Sequence, residues 1–480
     1  MRLLKNCQLR VTLLTALLIL VGQADPLFAK KAKTLHFEER IERILISNGL
    51  TRAQLSLQIV SIPDGKTIFE KNPELALNPA SNMKLITAAA ALKELGPNFT
   101  FKTEFYSEGP IDRQGQIKNL WIKGKGDPLF VTQELDAIAE YFKNVGLKKV
   151  EGSIFVDDTY FDPYNTMTYL SDDNDKIYNI VTNSLSFNFN TISIKARPSA
   201  RLGDQPIIAL DSPVQYLTLS NNAKMGARGS KTYLDIEQRD DGQIAVVGNI
   251  PRTRRHYHFR KGILDPANYT GTAIIEALQK KGIVIEGNMK RAPVPSRAAL
   301  LLVHNSPPLR EVLKGLGKYS NNFMAEQLLK TLGAIHYGVP GSMDKGIKAL
   351  HEYMASLGIP AEEYTIANGS GLSKLSRLSS RHLVKVLLDM YHSPRRDDLI
   401  SSLSIAGIDG TIGSKMRRSP LAGKVFAKTG TLNGVKSLSG YLIDGRQEVA
   451  FSFLFNDFKV PVSRVARAEE AILRAVWETY

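Results

Sequence analysis

At 480 residues the chain is too long for one ordinary domain; at roughly 100–200 residues per domain it divides into two to four. Hydrophobic residues make up 43% and charged residues 23%, the balance of a soluble globular protein with material for more than one core. The formal net charge of +15 favours anionic partners, and a single cysteine, Cys7, excludes a disulfide framework.

The chain opens with a basic stretch (Arg2, Lys5, Arg10), an apolar run from Val11 to Val21 and a small-x-small site at Gly22-Gln23-Ala24. This is the layout of a secretory signal peptide over residues 1–24, and its apolar run falls short of the ~20 residues that span a bilayer. The expectation is export to a periplasm or cell envelope. There the positive surface would meet wall polymers or phospholipid headgroups, and the export signal argues against nucleic acid. Cys7 lies inside the segment, so the mature chain has no Cys nucleophile or Cys-bound metal. His256 and His258, within the basic run Arg252–Lys261, have no third ligand nearby; that run reads as a solvated loop, and no metal or cofactor is expected.

Further along, residues 36–48 carry apolar side chains at helical spacing, Leu55–Ile62 alternates like a strand, and Pro63-Asp64-Gly65 turns the chain into a return strand at Thr67–Phe69. Residues 100–296 are rich in short β-prone runs, among them Ile154–Val156, Thr191–Ile194, Gln215–Leu219 and Ile244–Val247. They read as a mostly β insertion of two possible nested subdomains. From 308 to 395 the pattern is helical, with candidates at Leu309–Lys318, Phe323–Thr331, Lys345–Leu357 and Arg381–His392. Leu438–Ile443 and Val449–Phe455 form a second hairpin through Asp444-Gly445, and 463–478 is a closing amphipathic helix. Two distant hairpins, each beside a helix, suit one antiparallel sheet covered by helices, which brings both chain ends into one domain. The fold class is therefore α+β, with an all-α lobe, a split domain over 30–99 and 297–480, and an insertion over 100–296.

Three short patterns carry chemistry. Ser81 and Lys84, three apart at the start of an apolar, small-residue helix, share one face. A serine hydroxyl needs a base, and a lysine serves if burial lowers its pKa; a helix start also supplies N–H groups for an oxyanion. The same spacing recurs at Ser342 and Lys345, where Ser342 reads as an ordinary cap. Ser320-Asn321-Asn322 sits in a helix–helix loop, where Ser320 could pass a proton and Asn322 hold a carbonyl. Ser186-Phe187-Asn188 and Ser220-Asn221-Asn222 match that pattern too. Lys428-Thr429-Gly430 precedes the second hairpin; its Lys and Thr could bind a carboxylate, Gly430 could let a substrate approach the backbone, and the Thr431 N–H could be an oxyanion donor. Each alone has a plain reading as a cap or a surface strand.

In this order the three match the signature of β-lactamases and penicillin-binding proteins. Nearly all of the mature chain resembles the D-alanyl-D-alanine carboxypeptidase/endopeptidase family, the low-molecular-mass class C penicillin-binding proteins. The resemblance rests also on the blocks Gly124–Pro128, Ser186–Asn190, Asn368–Ser373, Ala406–Thr411 and Lys428–Leu432. It implies a transpeptidase-like catalytic domain of antiparallel sheet flanked by helices. Peptidoglycan stem peptides would be the substrates and β-lactams the covalent inhibitors. It assigns Ser81 as nucleophile, Lys84 as base, Ser320 and Asn322 to proton transfer and substrate holding. Lys428 and Thr429 would take the terminal carboxylate, and the N–H groups of Ser81 and Thr431 the oxyanion. Asp157 would match the insertion's acidic residue that meets the stem-peptide side chain. Lys374 stands where the family tends to have Arg, and Asn368 where it often has Asp. A β-lactamase is the nearest alternative, although no segment offers a deacylating glutamate; a non-catalytic wall-binding or penicillin-sensing protein is another.

Overall fold

The computed structural model describes residues 26–163, 181–211, 218–238 and 243–480. The proposed signal peptide and residues 215–217 of one expected strand lie outside these. The chain divides into two compact units, one running to Ala53 and resuming at Phe458–Tyr480, the other Gln54–Asp457. In the smaller unit the helices Pro26–Ser47 and Val462–Thr479 pack together, with Phe37 edge-on to Tyr480 at 5.5 Å between ring centroids. None of the described helices is long and apolar enough to cross a membrane.

In the larger unit the two expected hairpins share a six-stranded sheet. Its order is Ser404–Ile405, Val425–Leu432, Val435–Ile443, Glu448–Asn456, Gln54–Ser61 and Thr67–Lys71, antiparallel throughout. The junction between the distant segments pairs Leu57 with Phe453 and Ile59 with Phe451. Leu55–Val60 is buried at every position, as in a strand covered on both faces.

The helical lobe follows the sequence pattern closely. Leu309–Lys318, Asn322–Tyr337, Met343–Ser356 and Ser380–Tyr391 surround the helix Met83–Leu95. That helix has no polar face: Met83 to Leu92 are all buried, and its alanines let neighbouring helices come close.

The intervening region has a five-stranded mixed sheet in the order Met289–Arg291, Ile154–Asp157, Leu120–Gly124, Lys102–Ser107 and Ala299–Asn305. The last strand, beyond residue 296, pairs antiparallel with Lys102–Ser107. Two helices not foreseen among the short β runs, Thr132–Asn144 and Pro266–Lys280, pack together beside it. Their signals were present: Leu135, Ile138, Ala139 and Phe142 recur at helical spacing, and Asp265 caps Asn268 N–H just before Pro266. Smaller sheets hold Thr191–Arg197, Gln243–Pro251 and their partners.

Several loops of this region join the helix Asn322–Tyr337. Gln327 Nε2 donates to the carbonyls of Asn183 and Gly126, at 3.0 and 3.4 Å. Lys330, 1% exposed, meets Asp162 at 2.7 Å. Phe189 stands edge-on to Phe323. Asn188, Phe189 and Asn190 all have positive φ, a conformation costly for L-residues that here aims Phe189 at that helix.

Candidate active site

The turn that carries Ser81 is held from both sides. Asn78 accepts from the Ala80 N–H at 2.8 Å and donates to the Ser373 carbonyl at 3.2 Å. Ala80 has φ +46°, and a short 3-10 turn over Ala80–Asn82 leads into the buried helix at Met83. From the sheet, Ser437 donates to the Pro79 carbonyl and Ser439 accepts from Asn82, both at 2.7 Å. Gly430 permits this approach, since a Cβ there would stand 2.9 Å from Ala80 Cβ and 2.2 Å from Ser437 Oγ. The sequence suggests that Gly430 makes room for a substrate; in the structure it also makes room for the turn that carries Ser81. Gly371 is tighter still: its φ is +74°, and a Cβ would fall 1.8 Å from the Ala80 carbonyl oxygen.

Lys84 is fully buried. Its Nζ lies 3.1 Å from Ser81 Oγ, 2.6 Å from Asn322 Oδ1 and 2.6 Å from the Ser370 carbonyl. Burial drives its pKa down to about 7, against the opposing charge of Glu326. A neutral amine can donate to two of these acceptors and take a hydrogen from Ser81 with its lone pair.

Ser320 and Asn322 reach the same place from the helical lobe. Ser320 has φ +57° between two helices, and Asn321 caps the second by accepting from Met324 N–H at 3.1 Å. The capping expected of an Asn-rich loop thus falls to Asn321, which leaves Asn322 for Lys84. From the sheet, Lys428 Nζ donates to Ser320 Oγ and to the Thr429 carbonyl, both at 2.8 Å. Burial, then the nearby charges of Lys84 and Lys436, hold its pKa well below the usual lysine range. Thr429 Oγ1 donates to Thr411 Oγ1 at 2.8 Å. Because Ile443 N–H bonds the Lys424 carbonyl, antiparallel alternation turns even-numbered residues of Val425–Leu432 toward Val435–Ile443. The Thr431 N–H therefore points the other way, past the end of the short strand Ser404–Ile405, and its residue is exposed.

Ser81, Lys84 and Asn322 are thus one hydrogen-bonded group, and beside it stand Ser320 and Lys428, bonded to each other and within electrostatic reach of Lys84. Ser342 is not part of it: it accepts from the Lys345 N–H as a helix cap, while Lys345 Nζ binds the carbonyls of Gly338 and Pro340. Asp157 shows no bond to the group. It is fully buried, and its carboxylate takes the Thr159 N–H and hydroxyl, the Val294 N–H at 2.9 Å and Lys123 at 3.2 Å. Burial raises its pKa, but these donors outweigh burial and leave it below the ordinary value. Lys374 is exposed, next to Leu375, which is 69% exposed. His256 and His258 are exposed, and no metal-binding cluster of three or more His, Cys, Asp or Glu occurs among the described residues. Sequence reasoning missed Glu326 and Lys436, and gave Ser370 and Thr411 no role of their own. Glu326 is four residues after Asn322, one helical turn on, which was the available signal.

The D-Ala-D-Ala carboxypeptidase 3 (S13) family model matches residues 37–476. The chain belongs to this family. The S13 chain is 31% identical over 90% of its length, and 83% of the relative's, to a D-alanyl-D-alanine carboxypeptidase of Actinomadura sp. strain R39. It is 26% identical to the D-alanyl-D-alanine carboxypeptidase DacB of Haemophilus influenzae, over 83% of this chain and 84% of that one. The crystal structure of penicillin binding protein 4 from H. influenzae superposes with a TM-score of 0.80 at 24% identity, covering 91% of this chain and 98% of that one. The fold is therefore the penicillin-binding one, and the family is that of serine-type D-alanyl-D-alanine carboxypeptidases.

Proposed function

We propose that this S13 protein cleaves the terminal D-alanyl-D-alanine bond of peptidoglycan stem peptides, or the matching cross-link, through an acyl-Ser81 intermediate. The observation that carries this is the 3.1 Å contact between Ser81 Oγ and a buried Lys84 whose pKa lies near 7. Ser81 attacks the carbonyl of the penultimate D-alanine while its proton passes to Lys84. The N–H groups of Ser81 and Thr431 receive the oxyanion. Ser320, which accepts from Lys428, relays the proton to the leaving amine. Asn322 holds the substrate amide, and Lys428 with Thr429 binds the terminal carboxylate. Water then releases the acyl group. β-Lactams acylate the same serine; one solved H. influenzae relative is complexed with a β-lactam, which agrees with this.

Export to the periplasm or envelope is part of the same reading, because stem peptides lie there; the signal-peptide pattern of residues 1–24 supports it. Without Arg2, Lys5 and Arg10 of that segment the chain still has a net charge near +12, which suits association with the anionic envelope. Asp157 and Lys374 remain the candidates for the stem-peptide side chain. Asp157 serves by fixing Lys123 and the loop at Thr159, since its own oxygens are occupied.

The test is mass spectrometry of the penicillin-treated protein. One penicilloyl adduct is expected, on the peptide containing Ser81, stable over minutes and absent from Ser81→Ala. Labelling that persists in Ser81→Ala and disappears in Ser342→Ala would move the nucleophile.

A further inference from the structure

Beside Lys84 lies a carboxylate that the mechanism above does not use. Glu326, on the helix that begins at Asn322, is 2% exposed. Its oxygens accept from the N–H groups of Gly369 at 3.2 Å and Ser370 at 2.9 Å. The same short run of backbone takes the base: the Ser370 carbonyl accepts from Lys84 Nζ at 2.6 Å. Thr87, one turn beyond Lys84, donates to the Gly369 carbonyl at 2.8 Å. Residues 369–371 are thus a strap with the acid on its N–H side and the base on its carbonyl side. Gly371 then carries the strap over Ala80, next to the nucleophile.

We infer that Glu326 is a positioning residue for Lys84: it anchors the strap that receives the amine, and its negative charge holds on the lysine the proton taken from Ser81 until the leaving group collects it. The inference rests on the acyl-serine reading. When Ser81 Oγ bonds to the acyl carbon, its proton moves to Nζ and an ammonium forms in a buried site. When the amide C–N bond breaks, that proton passes through Ser320 to the departing nitrogen. The ammonium stage is the one a nearby carboxylate favours.

The charged groups around Lys84 make the role specific. Lys428, backed by Lys436, faces the cleft from the sheet and opposes a second positive charge. Glu326 supplies the attraction that works against burial of Lys84. Burial raises the Glu326 carboxyl above its ordinary range, against the opposing pull of the Ser370 and Gly369 donors and of Lys84. Each oxygen faces a backbone N–H, and such donors favour the charged form of the carboxyl over the neutral one.

The test is the rate of penicillin acylation against pH for the full-length protein, Glu326→Gln and Glu326→Asp, with circular dichroism and thermal melting for each. Without the negative charge the base loses its proton more readily. The acid limb of the Glu326→Gln profile should move to lower pH by about one unit or more, with a lower plateau. In Glu326→Asp the charge withdraws by one methylene, and the limb should shift in the same direction by less. A uniform loss of rate with the limb unmoved is what a structural role gives, and it overturns the inference. Should Glu326→Gln fail to fold, a Glu326→Asp limb coincident with the wild type overturns it equally. A wild type that no penicillin acylates defeats the acyl-serine reading itself, and this inference with it.

Discussion

A lysine in water is an ammonium at neutral pH and cannot take a proton from a serine. Lys84 escapes this because the helix that carries it is buried on every side, so its charged form loses hydration. The sign follows directly. The group is neutral above its lowered pKa, so acylation should rise with pH through about 7 and then level, as single-turnover β-lactam kinetics would measure. Lys428 is depressed by burial and by two neighbouring lysines. An incoming carboxylate supplies the missing counter-charge, so binding and protonation reinforce each other there. Lys428→Ala should cut kcat/KM for carboxylate-bearing substrates by about tenfold or more, the worth of a charge-assisted hydrogen bond, with little change in melting temperature. Equal kcat/KM in the two proteins would remove that role.

The elements explain why the group is rigid. The nucleophile turn is clamped between the strand Val425–Leu432 and the 369–371 strap, each touching it through a glycine. Gly371→Ala brings a methyl against a carbonyl in a backbone region that alanine disfavours. It should lower stability by about 2 kcal/mol or more in urea unfolding and reduce acylation with it. Gly65, with nothing within 4 Å of a Cβ, is the control for positive φ without crowding, and Gly65→Ala should cost about 1 kcal/mol.

At the scale of the molecule, the region between residues 100 and 305 reaches the helix Asn322–Tyr337 through polar ties at Gln327 and Lys330. The pair of Lys330 with Asp162 is one of them. Asp162→Ala should destabilise the protein by about 2 kcal/mol, and should lower turnover of cross-linked peptides more than reaction with a small β-lactam. Similar losses on both substrates would confine Asp162 to stability.

Much of this was legible beforehand. Periodicity located the four lobe helices, and alternation with Pro63-Asp64-Gly65 and Asp444-Gly445 located both hairpins, because those patterns are local. The motifs placed Ser81, Lys84, Ser320, Asn322 and Lys428, since their chemistry needs those side chains at those spacings. Glu326 stayed hidden because a glutamate on a helix reads as solvated until tertiary packing buries it. Asp157 looked available for the same reason in reverse: nothing local tells that Thr159, Val294 and Lys123 already use its oxygens.

The order of residues by itself determined the lobe helices, both hairpins, the family and the candidate reacting groups, because these depend on short-range pattern and on side-chain chemistry. Only the tertiary structure decided which lysine is stripped of water beside Ser81, which of the two matching serines has such a neighbour, and which acid lies near it. Those answers depend on loss of water and on contacts between residues hundreds of positions apart.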